Sequence, residues 1–192
     1  PTDILRIFQD FHTFDTGIKH GTVSVVVNSV VYEITTFRID GEYFDNRHPE
    51  NVEFTDDLIT DLSRRDFTVN AMAYSERTGL VDPFDGAYDL ELMAVRCVGN
   101  PVLRFNEDAL RIMRALRFAS CYNMAIEKHT AQAIFECKNL LKNIAAERIV
   151  SEFNKLVCGE SCEYILRRFK TVFAEFLPEI TIMFGYEQHT PH

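Results

Sequence analysis

The sequence lacks any apolar run close to the ~20 residues that a membrane-spanning helix needs, so we expect no membrane association. It begins PTDILRIFQD, without the basic start and small-residue cleavage site of a secretory signal, and without an initiator Met. It also contains no internal repeat and no low-complexity segment. We therefore expect a cytoplasmic protein, of which this chain is an internal piece.

The cysteines do not form the pattern of a disulfide framework or of a zinc site. Cys158 and Cys162 are four residues apart, but no second pair of Cys or His follows them at zinc spacing. The five cysteines are scattered and odd in number. This usage favours reduced thiols in a cytosolic protein.

Positive charge is scarce. The net charge is −9, and no segment has the excess of Lys and Arg that marks a nucleic-acid-binding face. Residues 1–60 hold four basic and eleven acidic side chains, whereas residues 61–120 and 121–192 each hold eight and nine. If the protein handles RNA, we expect most phosphate contacts to come from outside this chain. The 46% hydrophobic content nevertheless allows a substantial core and one or two domains.

The chain changes character near residues 99–104. Before that point two β-rich runs flank Asn28-Ser29, which predicts a hairpin. A short strand followed by a turn is predicted within 79–86, and another short strand at 94–98. After Asn100-Pro101 only helical periodicity appears. The predicted helices of this second part are residues 106–121, 127–137, 145–157 and 161–176. We therefore predict an α+β fold with a small sheet in residues 1–100 and a helical lobe in residues 101–192.

Residues 106–118 read NEDALRIMRALRF, in which Asp108, Arg111, Arg114 and Arg117 recur at every third position. A surface helix usually keeps its charges on one stripe, at spacings of three and four. A strict step of three turns each successive side chain by about 60°, so Asp108 and Arg117 would point in roughly opposite directions, about 13 Å apart. Charges that wind around a helix in this way suit a long anionic ligand lying across it.

A nucleoside triphosphate would match this order of charges. A carboxylate only accepts hydrogen bonds and a guanidinium only donates them. Cytosine and adenine present an amino donor beside a ring-nitrogen acceptor, whereas uracil and guanine present the reverse. Asp108 with Arg111 should therefore accept C and A and reject U and G, and Arg114 and Arg117 would meet the phosphates. The alternative is an i,i+3 ion pair worth ~0.2–0.5 kcal/mol, with two arginines whose stems cover apolar surface.

The segment SRRDFTVNAMAY (63–74) holds a second group of candidate ligands. Asp66 can accept a hydrogen bond from a ribose hydroxyl, Arg65 can hold a phosphate, and Asn70 lies over the same helical face as Asp66. Ser63 is predicted to cap a short helix that carries Phe67, Asn70 and Ala71. The alternative is an ordinary first helical turn in which Asp66 is favoured by the helix dipole.

Two further acidic features allow more than one interpretation. Glu33 is a single carboxylate in the apolar run VYEITTFR, where it could bind a metal or pair with Arg38 or Lys19 at a solvated edge. The Asp-rich segment DPFDGAYDL (82–90) is interpreted as a structural turn before a helix.

Taken in order, these segments resemble the class II nucleotidyltransferases, which comprise the tRNA CCA-adding enzymes and their bacterial poly(A) polymerase relatives. The resemblance covers nearly the whole chain, as far as FLPEI (176–180). The run Glu107-Asp108-Ala-Leu-Arg111 is closer to the CCA-adding form than to the poly(A) form. The segments that carry the resemblance are residues 17–49, DLSRRDFTVNAMAY (61–74), GLVDPFDGAYDL (79–90), RFNEDALRIMRALRFA (104–119) and the Glu-Arg of AAERI (145–149).

The resemblance implies part of a nucleotidyltransferase head with a small mixed or antiparallel sheet (residues 1–100), followed by an all-helical neck (residues 101–192). It implies transfer of CMP and AMP from CTP and ATP to a tRNA 3′ end with two Mg²⁺ ions. It assigns base reading to Asp108 and Arg111, and a structural role in steadying the template helix to Glu147-Arg148. Contacts with the ribose and triphosphate correspond to Arg65, Asp66, Arg114 and Arg117, and we group Asn70 with them.

One departure from the family pattern concerns the metal site. The family's Gly-Gly-x-Val-Arg-Asp stretch and its Asp-x-Asp pair, which hold both metals, do not occur in residues 1–192. Glu33 is the one candidate catalytic carboxylate that remains, so the Mg²⁺ site is expected to be incomplete here. The tRNA would then be held mainly by domains beyond this chain, and an exposed sheet edge could support a homo-oligomer. The alternatives are a poly(A) polymerase fragment and a non-enzymatic nucleotide- or RNA-binding module.

The missing pair of carboxylates leads to a direct prediction about activity. In-line displacement by two Mg²⁺ ions about 4 Å apart needs ligands that hold both ions. We expect the purified chain to add no labelled CMP or AMP to a tRNA that ends at its discriminator base, at any Mg²⁺ concentration. Incorporation above that of a heat-denatured sample would contradict this expectation.

Overall fold

The computed structural model describes residues 1–14, 17–18, 21–41 and 52–186. These residues form two compact units, one from the described part of residues 1–64 and one from residues 65–186. The α+β fold expected from the sequence is confirmed, with small antiparallel sheets in the first half of the chain and helices in the second. No helix in the described residues is long and apolar enough to span a membrane.

The first unit contains the predicted hairpin. After α1 (Thr2–Ile7), a three-stranded antiparallel sheet has the order β1 (His12–Phe14), β2 (Thr22–Val27) and β3 (Val30–Thr35). Asn28 and Ser29 both adopt positive φ (50° and 64°), as a two-residue hairpin turn with the right-handed twist of its strands requires. β3 pairs with β2 along one side, and its residues Val30, Val31 and Tyr32 are each at least half exposed. Association through this edge remains a prediction.

The rest of the first unit pairs β4 (Arg38–Asp40) with β5 (Val52–Phe54), followed by α2 (Leu58–Ser63). The prediction that Ser63 begins a helix is wrong, because Ser63 is the last residue of α2. The helix starts earlier because Asp57 caps it, accepting hydrogen bonds from the backbone N–H groups of Ile59 and Thr60.

The second unit begins with short elements. A single 3-10 turn (Thr68–Asn70) replaces the predicted short helix, and Phe67 is extended and forms a β-bridge to Cys97. The strand predicted within 79–86 is confirmed as β7, and the strand predicted at 94–98 is shorter than expected. The elements are β6 (Ala73–Ser75), β7 (Gly79–Val81), α3 (Gly86–Glu91) and β8 (Ala94–Val95).

Helices form the remainder of the second unit. The predictions at 127–137 and 145–157 are confirmed to within a residue, but 161–176 divides at Phe169 and one short strand was missed. That strand, β9, pairs in parallel with β8. The elements are α4 (Pro101–Glu107), α5 (Leu110–Cys121), β9 (Ala125–Ile126), α6 (Lys128–Cys137), α7 (Ala146–Val157), α8 (Cys162–Arg168) and α9 (Lys170–Phe173), with 3-10 turns at Lys138–Asn143 and Pro178–Met183.

The predicted continuous helix 106–121 is wrong at its start. Asp108 is extended (φ −139°, ψ 103°), so α4 ends at Glu107 and α5 begins at Leu110. The break is stable because the Asp108 side chain accepts a hydrogen bond from the Leu110 N–H at 3.0 Å, which satisfies a donor at the new helix start. Asp108 therefore precedes the helix that carries Arg111, Arg114 and Arg117, and the four charges do not wind around one axis.

α5 lies at the centre of the core of the second unit. None of its twelve residues is exposed, and Ile112, Met113, Ala115 and Leu116 are completely buried. It contacts α4, α7, α8 and the β8–β9 pair. This burial explains why two apolar residues separate each pair of charges in NEDALRIMRALRF, since two of every three positions must pack against neighbouring elements.

The cysteines are free thiols, as expected. Burial raises the pKa of Cys97 to about 12, and burial also raises the pKa of Cys137. Both groups therefore stay protonated at neutral pH, which makes them poor nucleophiles.

α5 and α7 are joined by a buried ion pair, and its loss should be costly. Arg117 Nε lies 2.7 Å from Glu152 Oε2, with 16% and 10% of the two side chains exposed, although the N–H is not aligned on that oxygen. We expect Arg117→Ala to lower the free energy of unfolding by about 3 kcal/mol, because Glu152 would stay buried with Lys155 Nζ no nearer than 4.0 Å.

Urea unfolding of three variants tests this prediction. The double variant Arg117→Met with Glu152→Met should recover most of the loss, because it removes both buried charges together. Arg167→Ala is the matched control, since Arg167 forms an ion pair with Glu163 that is almost fully exposed, and it should change stability little. Equal losses for Arg117→Ala and Arg167→Ala would contradict the prediction.

α6 begins at a carboxylate whose ionisation should stabilise the fold. Partial burial alone would raise the pKa of Glu127, but hydrogen bonds from His129 and Thr130 outweigh it and lower the pKa from 4.5 to about 2. A depressed pKa adds stability that is complete above pH 4.5 and is lost as the pH falls towards 2. Glu127→Gln should therefore cost about 1 kcal/mol at pH 7, and the difference from the unsubstituted chain should shrink as the pH falls through this range.

Denaturant unfolding at several pH values between 7 and 2 measures this effect. Glu136→Gln on the same helix is the control, because it leaves the hydrogen bonds at the start of α6 intact. A stability difference for Glu127→Gln that stays constant with pH would show that ionisation of Glu127 contributes nothing.

Candidate nucleotide-binding site

Asp66 is the centre of a cluster that joins two distant segments of the chain. Its Oδ1 accepts hydrogen bonds from the Phe67 N–H at 2.9 Å and from Asn70 Nδ2 at 3.1 Å. Its Oδ2 accepts from Arg114 Nε at 2.7 Å and pairs with Arg114 Nη2 at 2.6 Å. Arg65 Nη1 donates to the Asn70 carbonyl at 3.0 Å. We call Arg65, Asp66, Asn70 and Arg114 the Asp66 cluster, and it unites four residues predicted to bind a nucleotide.

The Asp66 carboxylate is fully used in this arrangement. A carboxylate has about four lone-pair positions, and Asp66 accepts three hydrogen bonds and makes one further ion-pair contact, with Arg114 Nη2. It is 8% exposed, and burial of this depth is tolerated because the charge is paired and hydrogen-bonded. Arg114 is its more accessible partner, with 34% of the side chain exposed. An incoming hydroxyl donor must therefore displace one existing donor, and Arg114 is the one best able to move.

Asp108 and Arg111 meet at the corner between α4 and α5. The Arg111 N–H donates to the Asp108 carbonyl at 3.0 Å, so both residues belong to one turn of the backbone. The Asp108 side chain accepts from the Leu110 N–H through Oδ1, and its Oδ2 lies 3.4 Å from Arg148 Nη2 on α7. Arg111 is 9% exposed, and its Nη1 donates to Glu107 Oε2 at 2.7 Å. We call these residues, with Glu107 and Arg148, the α4–α5 corner.

Neighbouring groups fix the orientation of the corner. Glu107 also pairs with Arg104, and the Arg104 carbonyl accepts a second hydrogen bond from Arg111 Nη1 at 3.3 Å. Glu147 lies in the first turn of α7, where the helix dipole favours an acid. Arg148 carries a buried Nη1 that has no hydrogen-bond partner within the described part of the chain. The contact between Arg148 and Asp108 links α7 to this corner, and the structural role of the Glu147-Arg148 pair remains a prediction.

Arg117 and Glu33 belong to neither group. The sequence predicts that Arg117 meets phosphates, but in the structure it pairs with Glu152, and its guanidinium lies 4.5 Å from the centre of the Phe118 ring. Glu33 is an exposed residue of β3 in the first unit, opposite Ser24 on β2. Of its two predicted partners, Arg38 pairs with Asp40 at 2.9 Å and Lys19 lies outside the described residues.

No metal-binding group is assembled in the part of the chain that the structure describes. Within those ranges no three side chains of the types His, Cys, Asp and Glu are grouped so that they could hold a metal ion. The donors in these ranges therefore do not fit a two-metal centre, and what they offer to a ligand is hydrogen bonding and charge.

Three contributing residues were missed in the sequence. The spacing of four between Glu107 and Arg111 is a common helical ion-pair spacing and could have been noticed. Arg104 is also within one turn of Glu107. Glu152, in contrast, is on another helix from Arg117, and nothing in the local pattern of either segment indicates their contact.

Two family models match the sequence. The sequence matches the family model of the poly A polymerase head domain over residues 1–96. Residues 123–183 match a second family model, described as the probable RNA and SrmB-binding site of polymerase A. Together the two matches cover both the β-rich half and most of the helical half of the chain.

The most similar relatives include two bacterial CCA-adding enzymes. The enzyme of Streptococcus gordonii is 46% identical over 181 residues, which are 94% of this chain and 45% of the relative. The enzyme of Bacillus velezensis is 44% identical over 189 residues, which are 98% of this chain and 46% of the relative. The chain thus spans just under half the length of the curated relatives that it matches.

Solved structures lead to the same family. The Bacillus stearothermophilus CCA-adding enzyme in complex with CTP superimposes with a TM-score of 0.77 at 42% identity, covering 86% of this chain and 39% of that one. A tRNA-processing enzyme with CTP superimposes with a TM-score of 0.70 at 27% identity, covering 98% of this chain and 48% of that one. The chain therefore belongs to the nucleotidyltransferase family of the poly A polymerase head domain, which its CCA-adding relatives share.

Proposed function

We propose that this chain supplies the nucleotide-selecting part of a tRNA nucleotidyltransferase that adds CCA, using CTP and ATP and the tRNA 3′ end as substrates. In this proposal residues 1–100 contribute to the head and residues 101–192 form the helical neck. The observation that carries it is the contact between Arg114 and Asp66, because it joins the DFTVN and NEDALRIMRALRF segments across 48 residues. The reaction is suggested by the names of relatives at 44–50% identity, which are CCA-adding enzymes.

Base selection is assigned to the α4–α5 corner. Asp108 has one oxygen committed to the backbone of α5, and the other faces Arg148 at a weak 3.4 Å. The amino group of C or A can take that second oxygen at a normal hydrogen-bond distance. Glu107 holds the guanidinium of Arg111 in one plane, so the donor that meets the ring nitrogen is oriented before the base arrives. Uracil would place a carbonyl against the Asp108 carboxylate and is rejected.

The sugar and phosphates are assigned to the Asp66 cluster. A ribose hydroxyl donates to Asp66 Oδ2 when Arg114 leaves that oxygen for the triphosphate. The exchange keeps Arg114 paired with an anion throughout and keeps the buried carboxylate hydrogen-bonded. Arg65, which is held to the Asn70 carbonyl, belongs to the same cluster and is assigned to a phosphate. Arg117 is assigned an indirect role, because its ion pair with Glu152 fixes α5 against α7.

A poly(A) polymerase is the second candidate, favoured by the name of the head-domain family model. Both enzymes use ATP, and only the CCA-adding enzyme needs CTP. Preference for CTP over UTP therefore distinguishes the CCA-adding enzyme from the poly(A) polymerase and from a binding module without base selection.

Binding of the four nucleoside triphosphates by the 192-residue chain tests the proposal, with isothermal titration as the measurement. Asp108→Ala should weaken CTP and ATP by about ten- to a hundredfold, since it leaves the amino group of the base unpaired. The ratio of CTP affinity to UTP affinity should also fall, because the Asp108 carboxylate no longer repels the carbonyl of uracil. Arg114→Ala should weaken all four ligands alike, because phosphates carry no base identity.

Glu136→Ala, an exposed substitution on α6, serves as the control and should bind like the unsubstituted chain. Equal affinity of the unsubstituted chain for CTP and UTP would exclude base selection by this part of the protein. A change in the CTP-to-UTP ratio as large in Arg114→Ala as in Asp108→Ala would show that base and phosphate are not read by separate groups.

A further inference from the structure

Thr68, midway between Asp66 and Asn70, is anchored to helix α3 by its side chain. Thr68 is 3% exposed, and its hydroxyl donates to Asp89 Oδ2 on α3 at 2.6 Å. Asp89 is 1% exposed, so this is a hydrogen bond to a buried carboxylate. The side chains of Asp66 and Asn70 contact each other, whereas the side chain of Thr68, which lies between them in sequence, contacts α3.

Asp89 is held in place by Arg96. Arg96 Nε lies 3.1 Å and 3.0 Å from the two oxygens of Asp89, which balances the buried charge. The Arg96 carbonyl also accepts a hydrogen bond from the Thr68 N–H at 3.0 Å. Two residues after Arg96, the Val98 N–H donates to the Asp66 carbonyl at 3.1 Å. The backbone and the side chain of Thr68 are thus both tied to the Asp89–Arg96 pair.

Gly86 brings α3 directly against the same turn. A Cβ at this position would lie 2.2 Å from the Thr68 carbonyl oxygen, which is far inside contact distance, so only glycine permits this approach. The start of α3 is fixed by Asp82, whose carboxylate accepts from the N–H groups of Gly86 and Ala87 at 2.7 Å and 2.9 Å. α3 therefore contacts Thr68 at two points. Gly86 packs against the Thr68 carbonyl, and the Asp89 carboxylate accepts a hydrogen bond from the Thr68 hydroxyl.

We propose that Asp89 is a positioning residue for sugar recognition, acting through Thr68 on Asp66 and Asn70. The inference rests on the assignment of the ribose to the Asp66 cluster. Movement of Thr68 would shift Asp66 and Asn70 together, because each lies two residues from it. The α4–α5 corner would not move, because Glu107 and Arg148 hold it independently of Thr68. Loss of the Thr68–Asp89 contact should therefore impair discrimination of the sugar and spare discrimination of the base.

Binding of CTP, 2′-deoxy-CTP and UTP by variants of the 192-residue chain tests this inference. Thr68→Val keeps the shape of the side chain and removes its hydroxyl, and Asp89→Asn keeps the shape of the carboxylate and removes its charge. Each should reduce the preference for CTP over 2′-deoxy-CTP by about five- to tenfold, the size expected for a misplaced hydrogen bond to a charged group. The preference for CTP over UTP should stay within about twofold. Thr68→Ser, which retains the hydroxyl, should restore the preference for ribose.

Ser120→Ala controls for lost stability. Ser120 is completely buried in α5 and donates its hydroxyl to the Leu156 carbonyl at 2.7 Å, so its loss removes a comparable hydrogen bond at another place. It should lower the thermal midpoint as Thr68→Val does, without changing the preference for ribose.

The outcomes separate this inference from the proposed function. A lower thermal midpoint with an unchanged preference for ribose in Thr68→Val would reduce α3 to a stabilising role and overturn the inference. An unsubstituted chain that prefers CTP to UTP but binds 2′-deoxy-CTP equally well would overturn it too, and would leave base selection intact. An unsubstituted chain without preference for CTP over UTP would refute the proposed function itself.

Discussion

The burial of α5 is the constraint on which the second unit depends. The helix is largely buried, yet it carries three arginines, and a guanidinium that loses most of its contact with water needs an anionic partner. Each arginine has one: Glu107 for Arg111, Asp66 for Arg114 and Glu152 for Arg117. Two of these acids lie on other segments, so satisfying the charges of α5 brings the DFTVN segment and α7 against it.

The same requirement supplies the charged groups that the proposed nucleotide site would use. Groups that are paired with each other in the free protein can change partners for a ligand that carries the same charges. Asp66 has no unused lone pair, and its most accessible donor is an arginine that a triphosphate can attract. Asp108 faces Arg148 at a distance that makes a weak hydrogen bond. In the proposed function, nucleotide binding exchanges these partners at positions that the core has already fixed, which limits the ordering that binding requires.

Local patterns predicted much of the fold. The hairpin followed from two β-rich runs around Asn28-Ser29, and α6 and α7 followed from helical periodicity. The break at Asp108 was missed because the run of helix-forming residues continues through it. What interrupts the helix is one side chain that caps the next helix, a local hydrogen bond that competes with the backbone ladder and leaves the periodicity unchanged.

The sequence by itself determined the order of the motifs, the residue types offered to a ligand and the family to which the chain belongs. It also held one contact of the site that depends on local spacing, that between Glu107 and Arg111. Only the tertiary structure decided which acid pairs with Arg114 and which with Arg117. It also decided that Asp89 accepts a hydrogen bond from Thr68. The physical reason is that residues four apart in the sequence stay close even where the helix between them is interrupted, as Glu107 and Arg111 do across the break at Asp108. A contact between distant segments depends instead on how whole elements pack, and periodicity carries no record of that packing.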